Sequence, residues 1–417
     1  MTPPRFLRRF PALLYPSFRR YWYGSFASVS ASNLLYVGQL WLIEEMTGSE
    51  INLGVLGAMM AVPGIVMNLV GGVIADRLNK RTLLLCTSLC NTVLVGLLTI
   101  LDVTDIVRVW HVYAIAAAFS FITGIDWPVR ASIYPSLVRR QSYLSAVSLN
   151  AFVWQSNRML APALGGLILW IAGTSVVFLI CTLGFLVMFF VLLTIPMHDS
   201  EPSTNTSALQ ELRDGVRFIL HHPMFRWLTL LTFLGMFFVQ SYVQQMSRFT
   251  ALLGQGEREF GLLLAAGGLG SVIGTLIVGS VRRNRRLGYV MLGGGITSAA
   301  ATFAFAFAAS NQLFYLAFTC AVVGALLASF FLINAMTTMQ LAVPHHLRGR
   351  VMGINTIGFN LVPLGGLFLG LVADQSSLLV AVGIGVAVYS VFAVLSMISS
   401  SSLRQLGRTT IREVQAL

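Results

Sequence analysis

The sequence predicts an all-α polytopic membrane protein whose twelve transmembrane helices form two six-helix, pseudo-symmetric bundles. Composition is the first reason: the 417 residues are 56% hydrophobic and only 10% charged, whereas a soluble domain carries about 25% charged residues. The second is the recurrence of apolar runs near the roughly 20 residues that a membrane-crossing helix needs. The third is that most of the arginines stand between those runs in alternate loops, which a chain crossing the membrane at each run would place on one side.

In order, the apolar runs fall near 21–43, 52–75, 82–101, 109–134, 145–170 and 174–196, then near 225–252, 260–281, 287–309, 312–340, 350–373 and 378–400. The domains expected are therefore 1–196, a cytoplasmic linker at 197–224, and 225–417 with a short cytoplasmic tail. The linker is Ser/Thr-rich and then helical, with Leu209, Leu212, Val216 and Ile219 spaced for one apolar face. Glu211, Arg213, Asp214 and Arg217 cover the other faces, a pattern for an amphipathic helix lying along the membrane surface.

Orientation follows from the positive residues. With the N-terminus inside, only Arg108 and Arg258 fall on outer loops, Arg130, Arg158 and Arg248 lie within spans, and every other Arg and the single Lys80 lie inside. Both termini are thus expected in the cytoplasm, and no cleaved signal peptide is expected. The halves also echo each other: "YLSAVSLNAFVWQSNRMLAPALGG" (143–166) and "HLRGRVMGINTIGFNLVPLGG" (346–366) both run Asn, Pro, Gly-Gly. A parallel repeat of six-helix halves is a transporter architecture with its site between them at mid-membrane.

Other classes find little support. The net charge of +12 is punctuation between apolar runs rather than a basic patch, so no nucleic-acid partner is expected. Cys86, Cys90, Cys181 and Cys320 lie in apolar runs and are expected as small buried hydrophobes, with neither a disulfide framework nor a metal site. The Gly-rich "AAGGLGSVIG" (265–274) lacks the GK[ST] of a phosphate loop, so transport would be secondary and no cofactor is expected. His221-His222 and His345-His346 lack matched carboxylates, which argues against a membrane enzyme. A non-transporting receptor or scaffold is the alternative of a different class.

"GGVIADRLNKRTLLL" (71–85) joins the second and third spans by a short charged turn. It resembles the loop pattern Gly-x-x-x-Asp-Arg-x-Gly-Arg-Arg of the major facilitator superfamily, with Gly72, Asp76, Arg77, Lys80 and Arg81 in place. Asn79 replaces the second glycine, a mild departure because Asn tolerates left-handed backbone conformations. The resemblance implies a gating latch. In it, Gly72 permits close helix approach, Asp76 caps a neighbouring helix and the basic residues pair across the cytoplasmic gate. A merely positive inner loop is the plainer alternative. "EEMTGSEINLGVLG", "APALGG", "LRDGVRFILHHP" and "VPHHLRGRVMG" extend the resemblance over nearly the whole chain. They are similar to the branch that holds the enterobactin (siderophore) exporter, macrolide and other drug-efflux proteins, and lysophospholipid transporters. In "APALGG", Pro162 would kink the fifth span and Gly165 and Gly166 would let a neighbour pack closely.

A charge at the bilayer centre costs at least about 2.5–3.5 kcal/mol, so such residues face a partner or a cavity. Asp126 and Arg130 are four apart and share a helix face. Three readings stay open: the two pair and brace the helix, Asp126 pairs with Arg77 or Arg81, or Asp126 titrates while Arg158 anchors an anionic substrate. One carboxylate against Arg130, Arg158 and Arg248 leaves a positive surplus that suits an anion. Tyr36, Gln39, Trp154, Gln240, Gln244, Asn334 and Asn355 could complete a substrate site, while Trp110 and Trp170 fit interfacial anchors.

The function expected is a secondary active transporter exporting a small amphipathic, anionic, siderophore-like molecule by alternating access. A multidrug efflux pump and a lysophospholipid transporter are the alternatives. Its surroundings would be the inner-membrane bilayer, with protons as a candidate coupling ion and a monomer as the default state.

Overall fold

A computed structural model describes residues 10–77, 79–133, 136–195, 208–280, 287–344 and 347–406. The described residues are helical throughout their ordered elements, and eleven of their helices are long and apolar enough to cross a membrane.

The first four are α1 (Pro16–Thr47), α2 (Glu50–Arg77), α3 (Lys80–Val103) and α4 (Val109–Ile133). The 51 residues of α5 (Tyr143–Leu193) would measure about 77 Å if straight, over twice the roughly 30 Å hydrocarbon core. Gly173 breaks it, with φ 76° and ψ −178°, where a helix cannot continue. Its two limbs cover the ranges expected for the fifth and sixth spans.

The linker helix is α6 (Ala208–His221). The seventh span is irregular: α7 (Pro223–Leu234) runs into a π-helical turn at Gly235–Val239 and a 3-10 stretch at Gln240–Gln245 before α8 (Met246–Leu252). Then follow α9 (Glu257–Ser280), α10 (Leu287–Ser310), α11 (Phe314–Ala342), α12 (Arg348–Ile357), α13 (Leu361–Gln375) and α14 (Leu378–Ser399).

The chain divides into two compact units, Met1–Leu42 with Val62–Ala208, and Ile43–Ala61 with Leu209–Leu417. The break between the units falls after Ala208, and the tip of the first hairpin, residues 43–61, groups with the second unit. In the first unit Tyr21, Leu84, Val129 and Met188 share one apolar cluster. The second unit centres on Phe225, Leu231, Met291, Phe331 and Tyr389.

On α6, Ile219 is buried in the second unit's core and Val216 is 38% exposed. Asp214 accepts a hydrogen bond from Arg350 at 2.9 Å, and Gly215 lies against Ile354 and Arg350, which turns that side of the helix inward. Leu209 and Leu212 side chains lie outside the described residues. Of the cysteines only Cys181 is buried, and Cys86 and Cys90 are exposed on α3, as apolar side chains on a lipid-facing surface can be. Asn79 is extended, at φ −60° and ψ 116°. It caps α3, its Oδ1 accepting from the amides of Arg81 at 3.0 Å and Thr82 at 3.1 Å.

Candidate functional site

In the first unit, α1, α3 and α4 meet at a buried ion pair. Arg130 Nε donates to Asp126 Oδ2, one helical turn apart. The other carboxylate oxygen, Oδ1, accepts from Thr87 Oγ1 at 2.7 Å, and the guanidinium also donates to Ser28 Oγ at 2.9 Å. Both charges are buried or nearly so, and each has a hydrogen-bonding partner besides the other. This is the arrangement that a charge pair in a low-dielectric interior requires.

Two residues further along α1, Ser30 donates to Asn157 Oδ1 on α5 at 2.6 Å. Gly165 makes this packing possible, because a Cβ there would sit 3.0 Å from Val37 Cγ1 and 3.2 Å from Leu34 Cδ2. The helix α5 continues through Pro162. Arg158 follows Asn157 and is exposed midway along the first limb of α5. It has no ion pair among the described residues. Trp154, one turn earlier on the same side of the helix, is also 36% exposed.

The basic residues of the short turn behave differently. Arg81 donates to the backbone carbonyl of Leu193 at 3.0 Å and Arg20 to that of Thr194 at 3.2 Å. Both cations thus meet the free carbonyls at the C-terminal end of α5, where the helix dipole favours them. Lys80 opens α3. Gly72, Asp76 and Arg77 lie in the last turns of α2 with their side chains outside the described residues. Tyr36 is half-buried, and Gln39 is 1% exposed with its Nε2 lacking a hydrogen-bond partner.

In the second unit the hairpin tip is fastened to the irregular seventh span. Arg248 Nε donates to Glu50 Oε1 at 2.7 Å, and its NH1 lies 3.4 Å from Glu44 Oε1. Gln244 Nε2 donates to the Leu53 carbonyl at 3.1 Å. Gln245 Nε2 donates to the carbonyls of Glu50 at 2.8 Å and Gly366 at 3.0 Å. These pairs correct the expected surplus of positive charge: Arg248 is matched by two carboxylates, so of the three in-span arginines Arg158 is the one without a carboxylate among the described residues.

The other proposed contacts in this unit separate. Gln244 is fully buried in the tip's packing and Asn355 is 4% exposed, whereas Asn334 is half-buried with its amide on the Phe330 carbonyl at 2.8 Å. Gln240 lines a cavity of about 40 Å³ beside the π-helical turn, with Thr232, Ser298, Phe331 and Tyr389.

Among the described residues, eleven helices long and apolar enough to cross a membrane, in two compact units, define a polytopic membrane protein. Comparison with known families agrees: residues 9–412 match the transmembrane secretion effector family, and the chain belongs to it. The enterobactin exporters of Shigella boydii serotype 18 and Escherichia coli O1:K1 are each 25% identical over 405 residues, covering 94% of this chain and 94% of theirs. Among solved structures, a nucleoside transporter superposes with a TM-score of 0.71 at 13% identity, covering 92% of this chain and 98% of that one. A bacterial homologue of the iron transporter ferroportin gives 0.70 at 15% identity over 91% and 98%. These structures establish the fold. Family and fold together make the chain a secondary transporter of a small molecule in the membrane, not an enzyme.

Proposed function

We propose that the protein exports a small amphipathic anion, siderophore-like in carrying several acidic oxygens on an aromatic or apolar frame. The observation that carries this reading is Arg158: a permanent cation, exposed at mid-span without a carboxylate among the described residues, beside Trp154. A guanidinium can take two oxygens of a carboxylate or catecholate at once, and an indole one turn away can stack on a ring. The relatives named as enterobactin exporters support export as the direction. Export would proceed by alternating access from an inner membrane, by a monomer with both termini in the cytoplasm and protons as the coupling ion. In this reading the Asp126–Arg130 pair braces α1, α3 and α4, and the turn after α2 serves as the cytoplasmic latch.

The test is transport in proteoliposomes loaded with a tricatecholate, compared with its O-methylated, uncharged analogue. Preferential movement of the anionic compound, reduced by Arg158→Gln, supports the proposal. Equal movement of both compounds favours a general drug-efflux pump, and movement of lysophospholipid alone a lipid transporter.

A further inference from the structure

Two carboxylates and one guanidinium meet where the hairpin tip, residues 43–61, rests on the seventh span. Glu50 holds the shorter contact to Arg248, 2.7 Å against 3.4 Å for Glu44, so Arg248 is already neutralised without Glu44. With both acids ionised the group carries one net negative charge. Glu44 is 8% exposed and its Oε2 is buried without a hydrogen-bond partner. The adjoining Gln245, fully buried, also has an unpartnered acceptor, Oε1, while its amide holds the Glu50 carbonyl. Two buried acceptor oxygens beside an excess negative charge are a costly arrangement. A proton on Glu44 removes the excess charge and turns one acceptor into a donor.

The surrounding elements supply little else that ionises. Glu45 is next along α1. Tyr242, in the 3-10 stretch, packs its ring on Phe305 with centroids 5.1 Å apart. Arg248 is the one charged residue of α8, and α13 has none before Asp374 near its end. Backbone contacts hold the tip independently of charge: Gln244 and Gln245 bind its carbonyls, and a Cβ on Gly54 would meet Leu367 Cα at 2.8 Å. The charged group therefore adjusts a docking that packing and hydrogen bonds already define.

We propose that Glu44, Glu50 and Arg248 form a one-proton site, with Glu44 the residue that binds the proton and the docked hairpin tip the state that holds it. The site is separate from Asp126 and rests on the transporter reading only for its use in a transport cycle. When the tip leaves the seventh span, Glu44 and Glu50 meet water, where a carboxylate ionises near pH 4. The docked state then binds one proton more than the undocked state. Docking strengthens as pH falls, by up to about tenfold per pH unit for one linked proton.

Hydrogen exchange of residues 43–61 in nanodiscs between pH 5 and pH 8, corrected for intrinsic exchange, measures docking without any substrate. Wild type is expected to show protection that falls as pH rises. Glu44→Gln, an isosteric mimic of the protonated acid, should be at least as protected as wild type at pH 8 and flat with pH. A Glu44→Gln variant that keeps the wild-type slope, or loses protection at every pH, overturns the proposal. So does protection that follows sodium concentration and not pH. Difference infrared spectra give an independent reading should the variant fold poorly: wild type should show a protonated-carboxyl C=O band at low pH that Glu44→Asp shifts. A band that Glu44→Asp leaves in place would likewise overturn it. Failure of tricatecholate transport with an intact pH response would count against the substrate reading alone.

Discussion

Thr87 donates to Asp126 at 2.7 Å from the neighbouring helix, on the carboxylate oxygen that Arg130 leaves free. This bond makes the i, i+4 pair a joint between helices, because Arg130 in turn reaches Ser28 on α1. Removing one part leaves different debris in each case. Thr87→Val removes one hydrogen bond, worth about 1 kcal/mol. Asp126→Asn leaves Arg130 buried without a counter-ion, which costs about 3–5 kcal/mol. Thermal denaturation in detergent should rank wild type above Thr87→Val, and Thr87→Val well above Asp126→Asn. The double variant Asp126→Asn, Arg130→Met should recover part of the loss, as neutralising both members of a buried pair does. Equal stability of all four would show that water reaches the pair.

Arg158 should separate stability from transport. It has no ion pair to break, so Arg158→Gln should change stability by no more than about 0.5 kcal/mol, as for an ordinary surface substitution. If it binds the anionic group, the same change removes a charge-assisted hydrogen bond worth about 1.5–3 kcal/mol, raising the KM for an anionic substrate roughly ten- to a hundredfold. Arg158→Lys keeps the charge without the two-pronged geometry and should fall between. A parallel loss of stability and transport would instead assign Arg158 to the packing of α5.

Local spacing explains which parts of the fold are legible in the sequence. Asp126 and Arg130 pair, one of the readings that their four-residue separation left open. The pairing of Arg248 with Glu44 and Glu50 joins residues 198 and 204 positions apart, and no local periodicity encodes that. Reading the first span to residue 43 also set Glu44 in a loop, whereas α1 continues to Thr47. Asp102 was missed for the same reason. It closes α3 onto the start of the second limb of α5, accepting from Thr174 and Ser175 at 2.7 Å each. The seventh span's apolar composition fits any helix, so its π-helical and 3-10 turns left no sequence signal.

Gly57 tests the tip without touching its charges. A Cβ there would strike the Pro363 carbonyl of α13, a backbone atom that cannot rotate away. Gly57→Ala should weaken docking by about 1–3 kcal/mol, the usual cost of overpacking. Hydrogen exchange should show faster exchange confined to residues 43–61, with the same pH slope as wild type. Unchanged protection would mean that α13 gives way at little cost.

The break in α5 and a helical glycine elsewhere make a pair of opposite sign. A Cβ at Gly173 or at Gly267 meets nothing within 4 Å, so neither substitution is limited by space. The backbone decides. Gly173 lies at φ 76° and ψ −178°, a region almost restricted to glycine, where a side chain costs about 1–3 kcal/mol. Gly267 is inside α9 with ordinary helical backbone, where alanine is favoured over glycine by about 1 kcal/mol. Gly173→Ala should therefore lower the melting temperature, and Gly267→Ala should raise it or leave it unchanged. A neutral Gly173→Ala would show that the two limbs of α5 can join by another backbone path, and that the glycine is not what separates the fifth span from the sixth.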